Sequence, residues 1–379
     1  MKSRAYGRHG ITVTALGLGG HREGAEYNGG TACTARFFLK AEERAGVVIR
    51  ALERGVTYFE TTYGCEIASL GESLRIAGAD REKIFISGMR VDFIKNIKNE
   101  KRDPRAYVRE EVMARLAEAG IDRLDQFLLG AVDMGDPLGS PALVKAALGE
   151  LDKLKEEGLI RYAGFSCHDP DYAARLLDAY PVFDAVMVPY NCANRTLEGA
   201  LTTVARKTRT PLIAMKPLVW SIYGVPVTAL CHIAPVGGLK HDPEVDIAAL
   251  AIRFVLANPA VAVTVPAVNA VADMDANAAA AEAGPLSMAE QAQAEAFTAA
   301  MRAEGSVPLA IAGLCINNFR ARVCAIGHIE QSLKLAPAPI DRSHASAEAA
   351  ARARARALVH LLGRDPRWQP FVKALTARP

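Results

Sequence analysis

Short apolar segments alternate with amphipathic helical segments between residues 15 and 280, and this alternation constrains the fold more than any other feature. Strands are predicted at Ala15–Leu18, Tyr58–Thr61, Ile84–Ser87, Gln126–Leu129, Tyr162–Ser166, Ala185–Pro189, Leu212–Lys216 and Val261–Val265. Helices are predicted between them, for example over Pro141–Glu157, where Leu143 and Ala147 lie at helical spacing. Eight strand–helix units of this kind predict an α/β fold, a closed (β/α)8 TIM barrel.

The segments outside the barrel pattern predict the domain organisation. Tyr6–Ile11 is typical of a small β-hairpin that could close the bottom of the barrel. Two long insertions, 21–40 and 218–243, follow predicted strands and would lie at the C-terminal face, where barrel sites are built. Beyond Gly284 the composition shifts towards Ala, Glu and Arg. We therefore expect a barrel over residues 1–284 and a helical C-terminal extension over residues 285–379.

Composition and charge exclude several classes of protein. Half of the residues are apolar and 23% are charged, which is typical of a globular chain. The net charge of +3 is too small to indicate a nucleic-acid or membrane-surface partner. No long uncharged apolar run predicts a membrane span, and no apolar segment follows the basic N-terminal residues as in a secretory signal. The seven scattered cysteines predict buried thiols in a reducing cytoplasm.

Several motifs occur in a characteristic order along the predicted barrel. They are Gly55–Thr61, Tyr63–Gly64, Leu70–Leu74, Gly158–Ser166, Val188–Asn191, Ala214–Leu218 and Ala251–Leu256, followed by Asn277. In this order the segments resemble the aldo-keto reductases, and most closely the subfamily with a C-terminal iron–sulfur extension. The resemblance implies an NADPH-dependent carbonyl reductase that acts on a small molecule. Its site would hold an Asp, a Tyr acid, a Lys that lowers the pKa of the tyrosine, and a His that orients the carbonyl.

The catalytic positions implied by this resemblance are altered in the chain. Glu60 stands at the Asp position, and Tyr63 is the counterpart of the Tyr acid. The Lys position aligns with Met89, next to Arg90, and the His position aligns with Gly130. An arginine cannot cycle a proton, but it can stabilise a phenolate. The resemblance therefore predicts an atypical tetrad with Glu60 and Tyr63 as its chemical groups and Arg90 as a charge partner.

The cofactor positions are also partly replaced. Ser166, Asn191 and Asn277 are the predicted cofactor-binding residues. Other polar or aromatic positions of the family are replaced by Cys167, Met187 and Met215. The eighth-strand turn, Pro266–Asn269, holds no Arg or Lys, which a 2′-phosphate favours. We therefore expect weak NADP(H) binding with little preference for the 2′-phosphate.

The extension lacks the ligands of an iron–sulfur cluster. A [4Fe–4S] cluster needs four cysteines, and only Cys315 and Cys324 fall in this segment. We therefore expect no cluster, and a degenerate remnant of a ferredoxin-like segment.

Three further residues would stand at the C-terminal face of the barrel. His21 follows the first predicted strand, His168 follows the fifth, and Lys216 ends the seventh. The two histidines would converge on one pocket with Glu60, Tyr63 and Arg90. Lys216 either points into this pocket or pairs with a carboxylate such as Glu60. A set of His and Glu side chains suggests a metal site, but the spacing matches no ligand motif, so no metal is predicted. His168 also has a simpler interpretation, as a loop residue before a helix that begins after Asp169.

Three functions are consistent with this sequence. The first is an aldo-keto reductase-like oxidoreductase with a remodelled site that acts on a small carbonyl or hydroxyl compound. The second is a non-hydride acid–base enzyme, a lyase or epimerase, that works through Glu60, His21 and His168. The third is a non-catalytic binding partner. We favour an enzyme because so many polar side chains are predicted at one face. The sequence specifies neither the substrate nor the oligomeric state.

Overall fold

The structure is a computed structural model. It describes residues 1–20, 27–28, 32–33, 41–220, 225–226, 244–268, 270–304, 307–315, 319–335 and 345–376. The chain divides into two compact units. The first unit comprises Met1–Tyr190, Thr196–Met215 and Asn258–Gly284, and the second comprises Asn191–Arg195, Lys216–Ala257 and Pro285–Pro379. The division into a barrel over residues 1–284 and an extension over residues 285–379 stays a prediction.

The chain begins with short antiparallel pairs. The first pair is β1 (Ser3–Ala5) with β2 (Thr12–Thr14), and the second is β3 (Tyr27–Asn28) with β4 (Ala32–Cys33). In the first pair Ser3 lies opposite Thr14, and the Tyr6 N–H donates to the Ile11 carbonyl at 2.9 Å. These contacts confirm the predicted N-terminal hairpin.

A parallel sheet forms the barrel in the first unit. The remaining strands are β5 (Tyr58–Glu60), β6 (Phe85–Arg90), β7 (Leu124–Leu129), β8 (Ile160–Ser166), β9 (Ala185–Pro189), β10 (Leu212–Met215), β11 (Val219–Trp220), β12 (Val225–Pro226) and β13 (Val261–Val265). Seven of them pair in the order β13-β10-β9-β8-β7-β6-β5. Residues 15–19 join the two ends of this sheet, since the Leu18 N–H donates to Tyr58 at 2.9 Å and the Gly17 N–H to Thr264 at 2.8 Å. The predicted α/β barrel is therefore confirmed.

Helices follow the strands of the first unit. They are α1 (Ala41–Glu53), α2 (Gly64–Ile76), α3 (Phe93–Glu100), α4 (Pro104–Ala119), α5 (Pro141–Glu156), α6 (Pro170–Ala179) and α7 (Ala200–Thr208), with α9 (Val271–Glu282) after β13. Short 3-10 turns lie at Arg81–Lys83, Val132–Gly135 and Thr196–Glu198. Helix α6 begins where Asp169 accepts the N–H groups of Asp171 and Tyr172, as the interpretation of Asp169 as an N-cap predicts.

The second unit is mainly helical. It contains β11, β12, α8 (Ile247–Ala257), α10 (Met288–Glu304), α11 (Val307–Cys315), α12 (Phe319–Ser332), α13 (Ala345–Leu362) and α14 (Gln369–Thr376). Helix α10 begins with a capping box, because the Ser287 N–H donates to Glu290 at 2.7 Å and the Glu290 N–H donates to Ser287 at 3.3 Å. Arg253 of α8 forms an ion pair with Glu290, which links α8 to α10.

An apolar cluster fills the inside of the barrel. Tyr58, Phe85, Met89, Leu128, Met187 and Val263 belong to it. Tyr6 of the hairpin is fully buried in the same cluster, and its ring lies 5.2 Å from that of Phe85. Because Phe85 begins its strand, Tyr6 closes the N-terminal end of the barrel, as predicted. The opposite end, where the strands finish, carries the polar side chains of the candidate site.

The cysteines differ in part from the sequence-based prediction. Cys167 and Cys192 are buried free thiols and Cys315 is an exposed one, but Cys65 is disulfide-bonded. The prediction of free thiols throughout is therefore wrong for Cys65, because spacing along the chain does not reveal which cysteines the fold brings together. Within the described ranges, no helix combines the length and the apolar character that a membrane span requires.

Candidate active site

Glu60 is a buried carboxyl at the end of β5. Tyr58 packs inside the barrel, and strand alternation directs Glu60, two residues later, to the same face. Its Oε1 accepts from the Thr62 hydroxyl at 3.1 Å, and its Oε2 accepts from the Gly20 N–H at 3.4 Å. Burial raises the pKa of Glu60 to about 7, against the opposing effect of these two hydrogen bonds. A carboxyl with this pKa can donate or accept a proton near neutral pH.

Glu66 is a second buried carboxyl, in the first turn of α2. Its Oε2 accepts from the backbone N–H groups of Thr62 at 2.7 Å and Tyr63 at 3.1 Å. Burial and the charge of Glu60 raise the pKa of Glu66 to about 8, while the two backbone hydrogen bonds and the charge of Arg44 oppose this shift. Glu66 was not among the residues predicted from the sequence. It lies three residues after the N-cap residue Tyr63, which is the spacing of a capping box and could have identified it.

Gly20 approaches both carboxyl-bearing residues. A Cβ at Gly20 would lie 2.8 Å from the Glu60 carbonyl oxygen and 2.9 Å from Glu66 Oε2. Real Cβ atoms do not approach other atoms so closely. Only a glycine therefore fits at position 20 without a shift of these groups.

Tyr63 occupies the N-cap position of α2 and is half-buried. The shared hydrogen bonds to Glu66 fix its backbone, and only Thr61 and Thr62 separate it from Glu60. The structure thus places Glu60 and Tyr63 on one short segment at the mouth of the barrel.

Arg90 and Met89 end β6 and face opposite sides of the sheet. Met89 lies in the apolar cluster inside the barrel. Arg90 faces the helical layer, where its Nε donates to the Tyr107 hydroxyl at 2.8 Å and lies 3.4 Å from Glu111. The structure therefore does not bring the Arg90 guanidinium to Glu60, and we leave Arg90 out of the proposed site.

Gly130 follows β7 at the position where the family resemblance implied a histidine. A Cβ there would lie 2.6 Å from the Arg90 carbonyl oxygen. A larger residue, such as a histidine, would require the neighbouring backbone to move.

His168 pairs with Asp133 beyond the end of β8. Its Nδ1 lies 3.8 Å from Asp133 Oδ1, and its backbone N–H donates to the same oxygen at 3.1 Å. Burial alone would raise the pKa of Asp133, but the hydrogen bonds and charge of His168 outweigh that effect and lower it. The neighbouring Cys167 is buried, and burial raises the pKa of its thiol well above its ordinary value. A histidine–carboxylate pair is a type of group that takes part in general acid–base catalysis, whereas the Cys167 thiol stays protonated.

The three predicted cofactor residues have different environments. Ser166 is buried, and its Oγ accepts from the Ala131 N–H at 2.9 Å, which leaves the hydroxyl proton for another acceptor. Asn277 on α9 is buried, and its Nδ2 has no hydrogen-bond partner among the described residues. Asn191 instead uses its amide locally. Its Nδ2 donates to the Lys216 and Val219 carbonyls, and its Oδ1 accepts from the Ala193 and Asn194 N–H groups. We therefore leave Asn191 out of the proposed site.

His21 lies outside the described residues. Lys216 belongs to the second unit, directly after β10, and has a left-handed backbone with φ of 59°. Its predicted role as a charge partner stays a prediction.

Two charged residues that the sequence analysis missed lie near the end of β13. Arg44 of α1 is buried, and its Nη1 lies 3.5 Å from the Val268 carbonyl oxygen. No sequence signal marked Arg44, because a single arginine in a helix does not reveal its tertiary partner. Asp273 lies in the first turn of α9 and accepts from the Ala270 N–H at 3.0 Å. This carboxylate therefore competes with any phosphate for the N-terminus of that helix.

Comparison with known proteins agrees with the barrel and its motifs. The sequence profile of the Aldo/keto reductase family matches residues 16–223, more than half of the chain. The protein belongs to the aldo/keto reductase family. A curated relative, "Probable aldo-keto reductase 1" of Glycine max, is 26% identical over 58% of the chain. The matched region spans 60% of that relative's length.

Solved aldo-keto reductases share the fold. The holo form of one from Bacillus halodurans superposes with a TM-score of 0.59 and 20% identity, covering 78% of this chain and 96% of the other. One from Klebsiella pneumoniae in complex with NADPH gives a TM-score of 0.57 and 20% identity, covering 78% of this chain and 94% of the other. These identities are low, so the likeness concerns the fold.

In the described part of the chain, no group of three or more His, Cys, Asp or Glu side chains could hold a metal ion.

Proposed function

We propose that this aldo/keto reductase family member is an oxidoreductase with a remodelled active site that acts on a small carbonyl or hydroxyl compound. The observation that carries the proposal is the Glu60 carboxyl, which is buried at the mouth of the barrel with a pKa of about 7. A group with this pKa is suited to proton transfer at neutral pH.

Glu60 would supply the proton in carbonyl reduction. The carbonyl carbon gains a hydride, which NADP(H) provides when bound, and the carbonyl oxygen takes the proton. Protonated Glu60 donates it to the oxygen, and the carboxylate then regains a proton from water. In the reverse direction the carboxylate would accept the proton of a hydroxyl group, and the hydride lost from its carbon would pass to the oxidised cofactor.

Tyr63 is the second proton donor of the proposed site. A phenol ordinarily has a pKa of about 10, whereas burial raises the pKa of Glu60 only to about 7. Glu60 is therefore the stronger acid of the two, and Tyr63 is a second donor that also orients the substrate oxygen.

The residues present fit a nicotinamide cofactor in part. The Ser166 hydroxyl proton and the buried Asn277 Nδ2 are available to cofactor oxygens. Asp273 at the start of α9 opposes the charge of the phosphates. These features support weak NADP(H) binding.

The test is turnover of a panel of aldehydes and ketones, followed by the absorbance of NADPH. Glu60→Gln should reduce turnover by about 10²-fold or more, as expected for loss of a general acid. Tyr63→Phe should give a loss on the order of 10²-fold with little change in stability. Glu72→Gln on the exposed face of α2 is the matched control and should retain full activity. Full activity of Glu60→Gln would refute the proposed role of Glu60.

The His168–Asp133 pair favours one alternative function. With Glu60 it would give two proton-handling groups, as a lyase or epimerase requires. Solvent deuterium incorporation into a hydroxy acid or sugar without NADPH would favour this alternative, whereas turnover that depends on NADPH would favour the reductase. A cytoplasmic location is part of our proposal, although the disulfide at Cys65 is more typical of an oxidising compartment.

A further inference from the structure

Glu66 and Glu60 are connected by a short chain of hydrogen bonds. Glu66 Oε2 accepts from the Thr62 backbone N–H at 2.7 Å, and the Thr62 hydroxyl donates to Glu60 Oε1 at 3.1 Å. Glu66 also holds the Tyr63 N–H at 3.1 Å. One carboxyl therefore fixes the turn that contains both the hydroxyl partner of Glu60 and the backbone of Tyr63.

Glu66 is buried next to charged groups from several elements. Glu66 is 2% exposed, so its carboxyl group is shielded from water. Among the described residues, the charged groups near it include Glu60 from β5, Arg44 from α1, and Glu118 of α4, which faces Gly64 and forms an ion pair with Arg115 at 2.6 Å. A Cβ at Gly20 would lie 2.9 Å from Glu66 Oε2, so the Gly20 backbone also packs closely against this carboxyl.

We propose that Glu66 is a positioning residue of the active site, which holds the Thr62–Tyr63 turn and thereby sets the proton affinity of Glu60. This inference rests on the proposed function, because it assigns to Glu66 the task of preparing Glu60 for proton transfer. Glu66 itself need not touch the substrate. A carboxyl group is suited to the task because one oxygen can accept two backbone N–H groups at once.

Substitutions at Glu66 separate anchoring from ionisation. Glu66→Gln retains an acceptor oxygen but cannot ionise, whereas Glu66→Ala removes the acceptor. Glu72→Gln and Glu72→Ala, at an exposed position of the same helix, are the matched controls. Two readouts are needed: hydrogen exchange of the Thr62 and Tyr63 amides by NMR, and infrared titration of the buried carboxyl groups.

Glu66→Ala should accelerate exchange of the Thr62 and Tyr63 amides by about tenfold or more, because their acceptor is lost. The protonation midpoint of Glu60 should rise, since a released Thr62 hydroxyl no longer stabilises the carboxylate. Glu66→Gln should keep the slow exchange and remove the higher of the two carboxyl titrations. The controls should change neither readout. Unchanged exchange in Glu66→Ala, or a Glu60 midpoint equal to that of Glu72→Ala, would overturn the proposal.

A reciprocal variant covers the case in which Glu66→Ala does not fold. In Glu60→Gln the carboxyl of Glu66 should lose its proton at lower pH, because the like charge of Glu60 is gone. An unchanged Glu66 midpoint would contradict the coupling. None of these measurements uses a cofactor or substrate, so absence of turnover would refute the proposed function without affecting the result for Glu66.

Discussion

Replacing Glu60 by glutamine should change how the stability of the protein depends on pH. The ordinary pKa of a glutamate, 4.5, applies to the unfolded chain, whereas burial raises the pKa of native Glu60 to about 7. Between these values the native state keeps a proton that the unfolded state releases. The free energy of unfolding therefore falls as pH rises through this window, and the stabilisation is fully present only below about pH 4.5.

The pKa difference sets the size of the effect. At roughly 1.4 kcal/mol per pKa unit, the rise from 4.5 to about 7 corresponds to about 3 kcal/mol. Glutamine does not titrate, so the free energy of unfolding of Glu60→Gln does not fall in this way as the pH rises. The difference in free energy of unfolding between Glu60→Gln and the wild type should therefore grow, in favour of the variant, by about 2–3 kcal/mol as the pH rises from roughly 5 to 9.

Urea unfolding followed by circular dichroism, at several pH values over this range, measures the difference directly. Glu66 and all other titrating groups are present in both proteins, so the comparison isolates Glu60 and the groups coupled to it. The exposed control Glu72→Gln should show a constant difference from the wild type. A pH-independent difference between Glu60→Gln and the wild type would refute the argument that burial keeps Glu60 protonated near neutral pH.

Three further substitutions test other contacts of the site. Gly20→Ala should reduce stability by about 1–3 kcal/mol in thermal or urea unfolding, because its Cβ would lie 2.8 Å from the Glu60 carbonyl oxygen. Asp273→Asn should tighten NADPH binding several-fold in calorimetric titrations, since it removes a negative charge from the N-terminus of α9. Asp133→Ala should accelerate hydrogen exchange of the His168 amide by about tenfold or more in NMR experiments, because the carboxylate that accepts this N–H at 3.1 Å is lost. Unchanged stability, affinity or exchange rate, respectively, would contradict each expectation.

The barrel was predictable because its signals are local and repeated. Each strand is a short apolar segment, and each following helix has an apolar stripe, so the eight units could be read along the chain. The end of β6 was harder to predict, because the orientation of Met89 and Arg90 depends on strand register. A shift by one residue exchanges the two faces. The structure puts Met89 inside and Arg90 against α4.

The surroundings of Glu60 could be predicted only in part. Its place at the end of β5 follows from the strand pattern, but its proximity to Gly20 depends on closure of the barrel. Arg44 reaches Val268 from a helix that is distant in sequence. The disulfide at Cys65 likewise results from tertiary contacts, which spacing in the sequence does not specify.

Calorimetric titration of the protein with NADPH and NADH determines whether it binds a nicotinamide cofactor weakly, as we propose. We expect saturable binding of both cofactors, with dissociation constants on the order of 10 μM or weaker and within about threefold of each other. A hundredfold excess over the dissociation constant should then raise the free energy of unfolding by about 2.7 kcal/mol. Absence of saturable binding to either cofactor would contradict the assignment as an oxidoreductase, and submicromolar binding of NADPH would contradict the remodelled cofactor site.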